Sequence, residues 1–280
     1  MRIAREIEVA VAVGALAALA ALAGCAPDES RFAATTGCEG TLCGKPPPGG
    51  GTVGKDGGAE GGAGGAAATV DQAGSVALLA TPSFTQASAV AFNGLATITA
   101  ISASGTTTSA PYGGVNGATF LLEGVESGPT WFLVEDKSGG AAGVFSTFSY
   151  QELPVVPSVT LPVVDVATLQ IIASSLPTVA AAGVSSLAAH VVIFVSAGGA
   201  PRSGIKVSGG VGGGQVAYDF GAGYSDSSGA TGTNGVAILF NAGLAGSSLI
   251  TLTDTATSKA YSTKVQAAPG AVTLAAIAVD

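Results

Sequence analysis

The sequence predicts an all-β protein: two tandem β-sandwich modules behind a glycine-rich stalk. Three observations carry that prediction. The first is composition. The 280 residues include 43 glycines, with 48% hydrophobic and only 10% charged residues, a balance that favours short strands and frequent turns over long charged helices. The second is an internal repeat. Asn116-Gly117-Ala-Thr-Phe120-Leu-Leu122-Glu-Gly-Val125-Glu-Ser-Gly128 aligns with Asn234-Gly235-Val-Ala-Ile238-Leu-Phe240-Asn-Ala-Gly-Leu-Ala-Gly246, and Asp136 and Asp254 keep the same offset. Phe145-Ser-Thr then aligns with Tyr261-Ser-Thr after a shortened loop, and Val159-Thr-Leu161 with Val272-Thr-Leu274. The third is the Asn-Gly pair that opens each unit ahead of an alternating apolar run, a hairpin signal.

The repeat also sets strand phase. Ala118, Phe120 and Leu122 share one face, matched by Val236, Ile238 and Phe240, and Phe132 and Val134 match Ile250 and Leu252. These residues should point into each core. Trp131 and Leu133 then lie on the opposite face, with Leu249 and Thr251 as their counterparts. Two hairpin-joined strands cannot stand alone, so each unit should close as a two-sheet sandwich of about seven short strands. The expected organisation is a leader over 1–24, a disordered tether over 25–70, modules over 71–165 and 190–280, and a connector over 166–189. The connector segment Thr168-Leu-Gln-Ile-Ile-Ala-Ser-Ser-Leu176 reads equally as a short helix or an edge strand.

Ahead of the modules, Arg2 and Arg5 precede an apolar stretch from Val9 to Ala23, although Glu6 and Glu8 dilute the positive charge. The stretch suits the apolar core of an export signal and is short of the roughly 20 residues that span a bilayer. An uncleaved transmembrane anchor is the alternative. Leu22-Ala-Gly-Cys25 resembles the lipobox of bacterial lipoproteins. That resemblance implies a diacylglyceryl thioether on Cys25, cleavage just before it, and an acylated (palmitate-bearing) new amino terminus. Such an anchor exceeds the two lipid signals that stable attachment needs. Ala26, where an Asp would signal inner-membrane retention in Gram-negative bacteria, implies the outer membrane. The tether contains Pro46-Pro47-Pro48 and a glycine-rich run from Gly57 to Gly65. As a coil of about 44 residues it would span roughly 35–40 Å.

Cys38 and Cys43 are expected to close a small disulfide loop outside the cytoplasm. Free thiols and a metal site are the alternatives, the latter short of ligands because the chain's one histidine, His190, is distant. Gly49-Gly-Gly-Thr-Val-Gly54-Lys55 imitates the start of a phosphate-binding loop. Asp56 stands where Ser or Thr should follow, however, and no strand leads in. The net charge of −8, with scattered Lys and Arg, argues against a nucleic-acid partner. No cofactor is implied.

The run from Asn116 to Val134, Asn-Gly-x-x-Phe-x-Leu-x-x-Val-x-x-Gly-Pro-x-x-x-x-Val, resembles the carboxypeptidase regulatory-like, transthyretin-type β-sandwich. The second unit, through Thr233-Asn-Gly-Val-Ala237, is similar to bacterial Ig-like modules of invasin type. Both resemblances imply spacer, adhesion or carbohydrate-associated modules, and neither carries a universal functional residue onto this chain.

Catalytic chemistry has few candidates. A Ser-His-Asp triad would have to use His190, which leads into the apolar Val191–Val195 and reads as a strand-end residue. Carboxylate pairs, the requirement of a glycan hydrolase, could come from Glu123/Glu126, Glu135/Asp136 or Asp219/Asp226, all in turn-rich positions. A calcium site would need denser acids. If the Trp131/Leu133 face is solvated it marks a contact surface; otherwise a neighbouring module, loop or connector covers it. The expected function is a non-enzymatic, lipid-anchored envelope protein with an envelope protein or glycan as partner. The alternatives are an extracytoplasmic glycan hydrolase and an accessory subunit of an envelope complex.

Overall fold

The computed structural model describes residues 68–80, 84, 89–113, 118–140 and 143–280, and over these the fold is all-β. The leader, the tether, Cys25, Cys38, Cys43, Asn116 and Gly117 lie outside the described residues. The first half contains β1 (Thr69–Leu79), β2 (Ala89–Ala91), β3 (Ala96–Ser102), β4 (Thr107–Tyr112), β5 (Phe120–Glu126), β6 (Gly128–Asp136), β7 (Val144–Leu153) and β8 (Val159–Asp165). Thr69 and Val70, expected in the tether, already belong to β1, where they pair with Glu126 and Val125.

β1 is the centre of one layer. It runs antiparallel to β5 through Gly74↔Phe120 and parallel to β8 through Val76↔Leu161. The facing layer is β4-β3-β6-β7. Alternate residues of both layers meet in one core, where Val76, Ile98, Leu122, Phe132, Val134 and Leu161 are all at most 2% exposed.

The second half repeats this layout. It comprises β9 (Ala189–Ala197), β10 (Ala200–Pro201), β11 (Ile205–Gly209), β12 (Gln215–Asp219), β13 (Tyr224–Ser225), β14 (Val236–Ala242), β15 (Gly246–Asp254), β16 (Ala260–Ala267) and β17 (Ala271–Ala278). β9 pairs antiparallel with β14 and parallel with β17, as β1 does with β5 and β8. β11-β15-β16 form the facing sheet, as β3-β6-β7 do. The correspondence is tight through β5/β14 and β6/β15, then slips. Leu133 faces Phe148 and Thr251 faces Ser262, so pairing aligns Phe145 with Lys259 rather than with Tyr261.

Two further expectations need correction. The strands after each Asn-Gly do not form hairpins. β5 pairs with β1 and β6 with β3 and β7, so the chain changes layer at Gly128, whose φ is 106°; β14 and β15 part in the same way ahead of Gly246, at φ 63°. The reason is burial. Phe120 and Phe132 fill the same core from facing layers, so each strand finds its ladder partners in its own layer. The second correction concerns phase. Val236, Ile238 and Phe240 pack away from Ile250 and Leu252, which meet Ala237 and Leu239 instead. β14 and β9 are covered on both faces, so their apolar runs are continuous and carry no inside-outside signal.

The connector covers that second face. Val166–Ser174 forms α1 and Pro177–Ala182 forms α2. Asp165 caps α1, its Oδ2 accepting from Thr168 N–H at 3.1 Å, and Pro177 sits where a missing N–H costs nothing. Leu169, Ile172, Ala173, Leu176 and Val179 lie against Val192, Ile238, Phe240 and Val272, together with Leu79, Phe145 and Val164 from the first half. β17 completes the junction by running parallel to β7 from Ala271↔Ser146 to Leu274↔Ser149. One continuous path, β13-β12-β14-β9-β17-β7-β6-β3-β4, therefore crosses both halves.

Candidate functional site

The outer face of the first half's β4-β3-β6-β7 layer carries Trp131, Phe148 and Tyr150. Ladder register puts Ile101, Trp131 and Tyr150 in one transverse row, with Thr99, Leu133 and Phe148 in the next. Trp131 and Tyr150 meet edge to face with ring centroids 5.6 Å apart, the geometry aromatic quadrupoles favour. Trp131 is half-buried because part of its ring packs against the second half's core. Leu133 is half-buried too. Tyr150 is 41% exposed and its hydroxyl donates to Glu152 Oε2 at 3.0 Å. Thr99 Oγ1 and Ser109 Oγ, 2.9 Å apart, continue the face as a hydroxyl border. The row can present flat apolar area beside hydroxyls and one carboxylate.

Five of the six candidate acids are engaged by neighbouring groups, several of them in turns. Glu126 accepts from Ser104 Oγ at 2.6 Å and Thr106 Oγ1 at 3.0 Å, and the Ser104 bond above all lowers its pKa; Glu123 is exposed. Glu135 pairs with Lys137 at 2.6 Å. Asp136 folds back on its own turn, accepting from Ser138 N–H at 2.9 Å and Gly140 N–H at 3.1 Å. Its repeat counterpart Asp254 acts likewise at the end of β15, accepting from Ala256 N–H at 2.8 Å and Thr257 N–H at 3.1 Å. Arg202 Nη2, 2.9 Å from Oδ2, is the main reason that the Asp254 carboxyl is held down to about 2, with the two N–H bonds adding to it.

Asp219 is 2% exposed and accepts three backbone N–H bonds, from Gly232 at 3.1 Å, Asn234 at 2.9 Å and Val236 at 2.8 Å. It thereby shapes the Asn234-Gly235 turn that leads into β14. Burial, then the charge of Asp219, pushes the Tyr224 hydroxyl up. Asp226 instead accepts from Thr178 N–H at 2.8 Å and from the Thr178 hydroxyl, which lower its pKa and tie the β13 turn to the start of α2.

His190 is fully buried, its ring 5.3 Å from that of Phe145 and 6.2 Å from that of Phe240. Nε2 lies 3.0 Å from the Ser185 carbonyl, and Asn241 N–H donates to Nδ1 at 3.3 Å. Those partners assign the neutral tautomer with hydrogen on Nε2. Desolvation lowers its pKa. Asn241 was not legible in the sequence as a functional position. It occupies a β-bulge at φ 53°, and its side chain accepts from Ser185 N–H at 2.9 Å and donates to Gly183 O at 2.7 Å.

Among the described residues no three His, Cys, Asp or Glu side chains gather where a metal ion could sit. A shallow cleft of about 350 Å³ beside β2 is lined by Leu78, Val90, Ala91, Phe92, Asn93 and Gly94, with no titratable group. No described helix is long and apolar enough to cross a membrane. Compared with known proteins, the chain matches no family model and no curated protein.

Proposed function

We propose that this protein is a lipid-anchored, non-catalytic component of a bacterial cell envelope, held at the outer membrane and presenting an all-β head for binding or structural work. The observation that carries this reading is Leu22-Ala-Gly-Cys25 directly behind an apolar stretch and ahead of a Gly/Pro-rich segment. Supporting the non-catalytic part, Asp136, Asp219, Asp226 and Asp254 each accept backbone N–H bonds of the head itself. A carboxylate so engaged holds the backbone of its own turn, with part of its acceptor capacity already used.

Metabolic labelling with palmitate tests the anchor. Wild type should incorporate label and partition with membranes, and Cys25→Ala should do neither; equal labelling of both overturns the reading. The row Ile101-Trp131-Tyr150 is the proposed contact face for an envelope protein or glycan. In a glycan array, full-length wild type and Trp131→Ala should differ on any sugar bound through this face. Binding that survives the substitution unchanged removes the face from the proposal.

A further inference from the structure

We propose that His190 is a proton-operated latch at the junction between the two halves, closed while the imidazole is neutral and released when it gains a second proton. The geometry is that of a joint. The ring of Phe145 on β7 of the first half lies beside the imidazole, and the other groups around it belong to the second half: Phe240 on β14, Val272 on β17, paired with His190, and Ser185 in the loop that follows α2. Each ring nitrogen has a directional task. Nε2–H donates to the Ser185 carbonyl, and Nδ1 accepts the N–H of Asn241, a bulge residue that the strand ladder leaves out. Asn241 then returns two bonds to the same loop, at Ser185 and Gly183. One imidazole thus ties the helical cover, the β14 bulge and the first half's β7 together.

Protonation would break this arrangement at a defined atom. A hydrogen on Nδ1 replaces the acceptor that the Asn241 N–H requires, so two donors face each other. The new charge has no partner close at hand. β14 and β17 carry no charged side chain, the 166–189 segment carries none, and β9 carries none besides His190 itself. On β7 the charged residue is Glu152, an exposed group that binds Tyr150 near the strand's far end; Asp165, at the end of β8, is committed to capping α1. A fully buried charge with no counter-charge beside it is costly.

The direction of linkage follows. Burial holds the native imidazole below its ordinary 6.5, so an opened joint binds protons more tightly than a closed one. Stability at the joint is fully present above about pH 6.5 and drains away as pH falls, until the native ring itself titrates. The opening equilibrium rises by up to about tenfold per pH unit in that window.

The test uses the full chain. Imidazole ¹⁵N shifts of wild type should show the Nε2–H tautomer at neutral pH and a midpoint below 6.5. Amide-exchange protection at Asn241 and the 183–188 loop should drop by up to about tenfold per unit below pH 6.5. His190→Gln, whose amide can both accept from Asn241 and donate to Ser185 without titrating, should hold flat protection over the same range. An imidazole that titrates at its ordinary value, or protection that falls equally in wild type and His190→Gln, overturns the latch. The wild-type shifts and protection decide the matter even if the variant fails to fold.

Discussion

Replacing Gly74 by alanine probes how tightly the first half is closed. Gly74 stands in β1 between Phe120 of β5 and Val159 of β8. A Cβ there would come within 2.4 Å of Phe120 Cζ and 2.6 Å of the Val159 carbonyl oxygen. Neither neighbour can yield easily: Phe120 is 4% exposed inside the core, and the Val159 carbonyl belongs to a strand backbone. In an open strand alanine gains about 0.5–1 kcal/mol over glycine, whereas overpacking a filled core costs about 1–3 kcal/mol. Overpacking should win, leaving Gly74→Ala less stable by about 1–2 kcal/mol. For a folded region of this size that lowers Tm by about 2–8 °C. Gly229→Ala is the control, because a Cβ there meets nothing within 4 Å and its φ lies outside the left-handed range; it should be neutral or gain up to about 1 kcal/mol. Urea melts of wild type, both variants and the Gly74→Ala/Phe120→Leu double variant measure the effect. The double variant should recover part of the loss beyond additivity. Should Gly74→Ala melt at or above wild type while Gly229→Ala behaves as expected, the close approach of ring and strand is wrong.

Other perturbations follow from the same geometry. Asp219→Ala strips the acceptor from three backbone donors and should cost about 3 kcal/mol in urea at unchanged m-value; a loss under about 0.5 kcal/mol would deny the turn its clamp. Arg202→Met should raise the Asp254 carboxyl from about 2 toward its ordinary 3.8, read by ¹³C titration. Because the native value is the lower one, Asp254's contribution is present above pH 3.8 and lost as pH falls toward 2, and the variant should lose less of its stability over that window. Phe240→Ala empties a fully buried site between sheet and helices and should cost about 3–5 kcal/mol. Trp131, the chain's one tryptophan, stands on β6 of the first half with part of its ring against the second half's core. Its fluorescence melt should coincide with the far-UV melt because β17 joins the halves, and two separate transitions would contradict that continuity.

Much of the fold was legible because the repeat is physical. Asp136 and Asp254 share an offset and share a task, each closing the turn after its strand with its own carboxylate. The inward set Phe120, Leu122, Phe132 and Val134 was readable because the first half's strands bury one face. The hairpin expectation fails for the same reason that the alternation is clear. Alternation tells which face is buried, and both β5 and β6 obey it, but it says nothing about which sheet each strand joins. The helix of 166–174 stayed ambiguous because Ile171, 60% exposed, interrupts the stripe made by Thr168, Leu169, Ile172 and Ala173.

By itself the sequence determined strand-forming composition, the repeat, the core positions of the first half and the motif at Cys25, all of which depend on residue type and local spacing. Tertiary structure alone decided the rest. It placed β17 between β7 and β9, put α1 and α2 over the second face of β14, half-covered Trp131, and surrounded the strand-end His190 with partners from both halves. Each of these depends on partners more than 40 residues apart in the chain, such as Phe145 and His190. No local pattern records them, because burial on both faces and long-range strand pairing come into being only when the layers close.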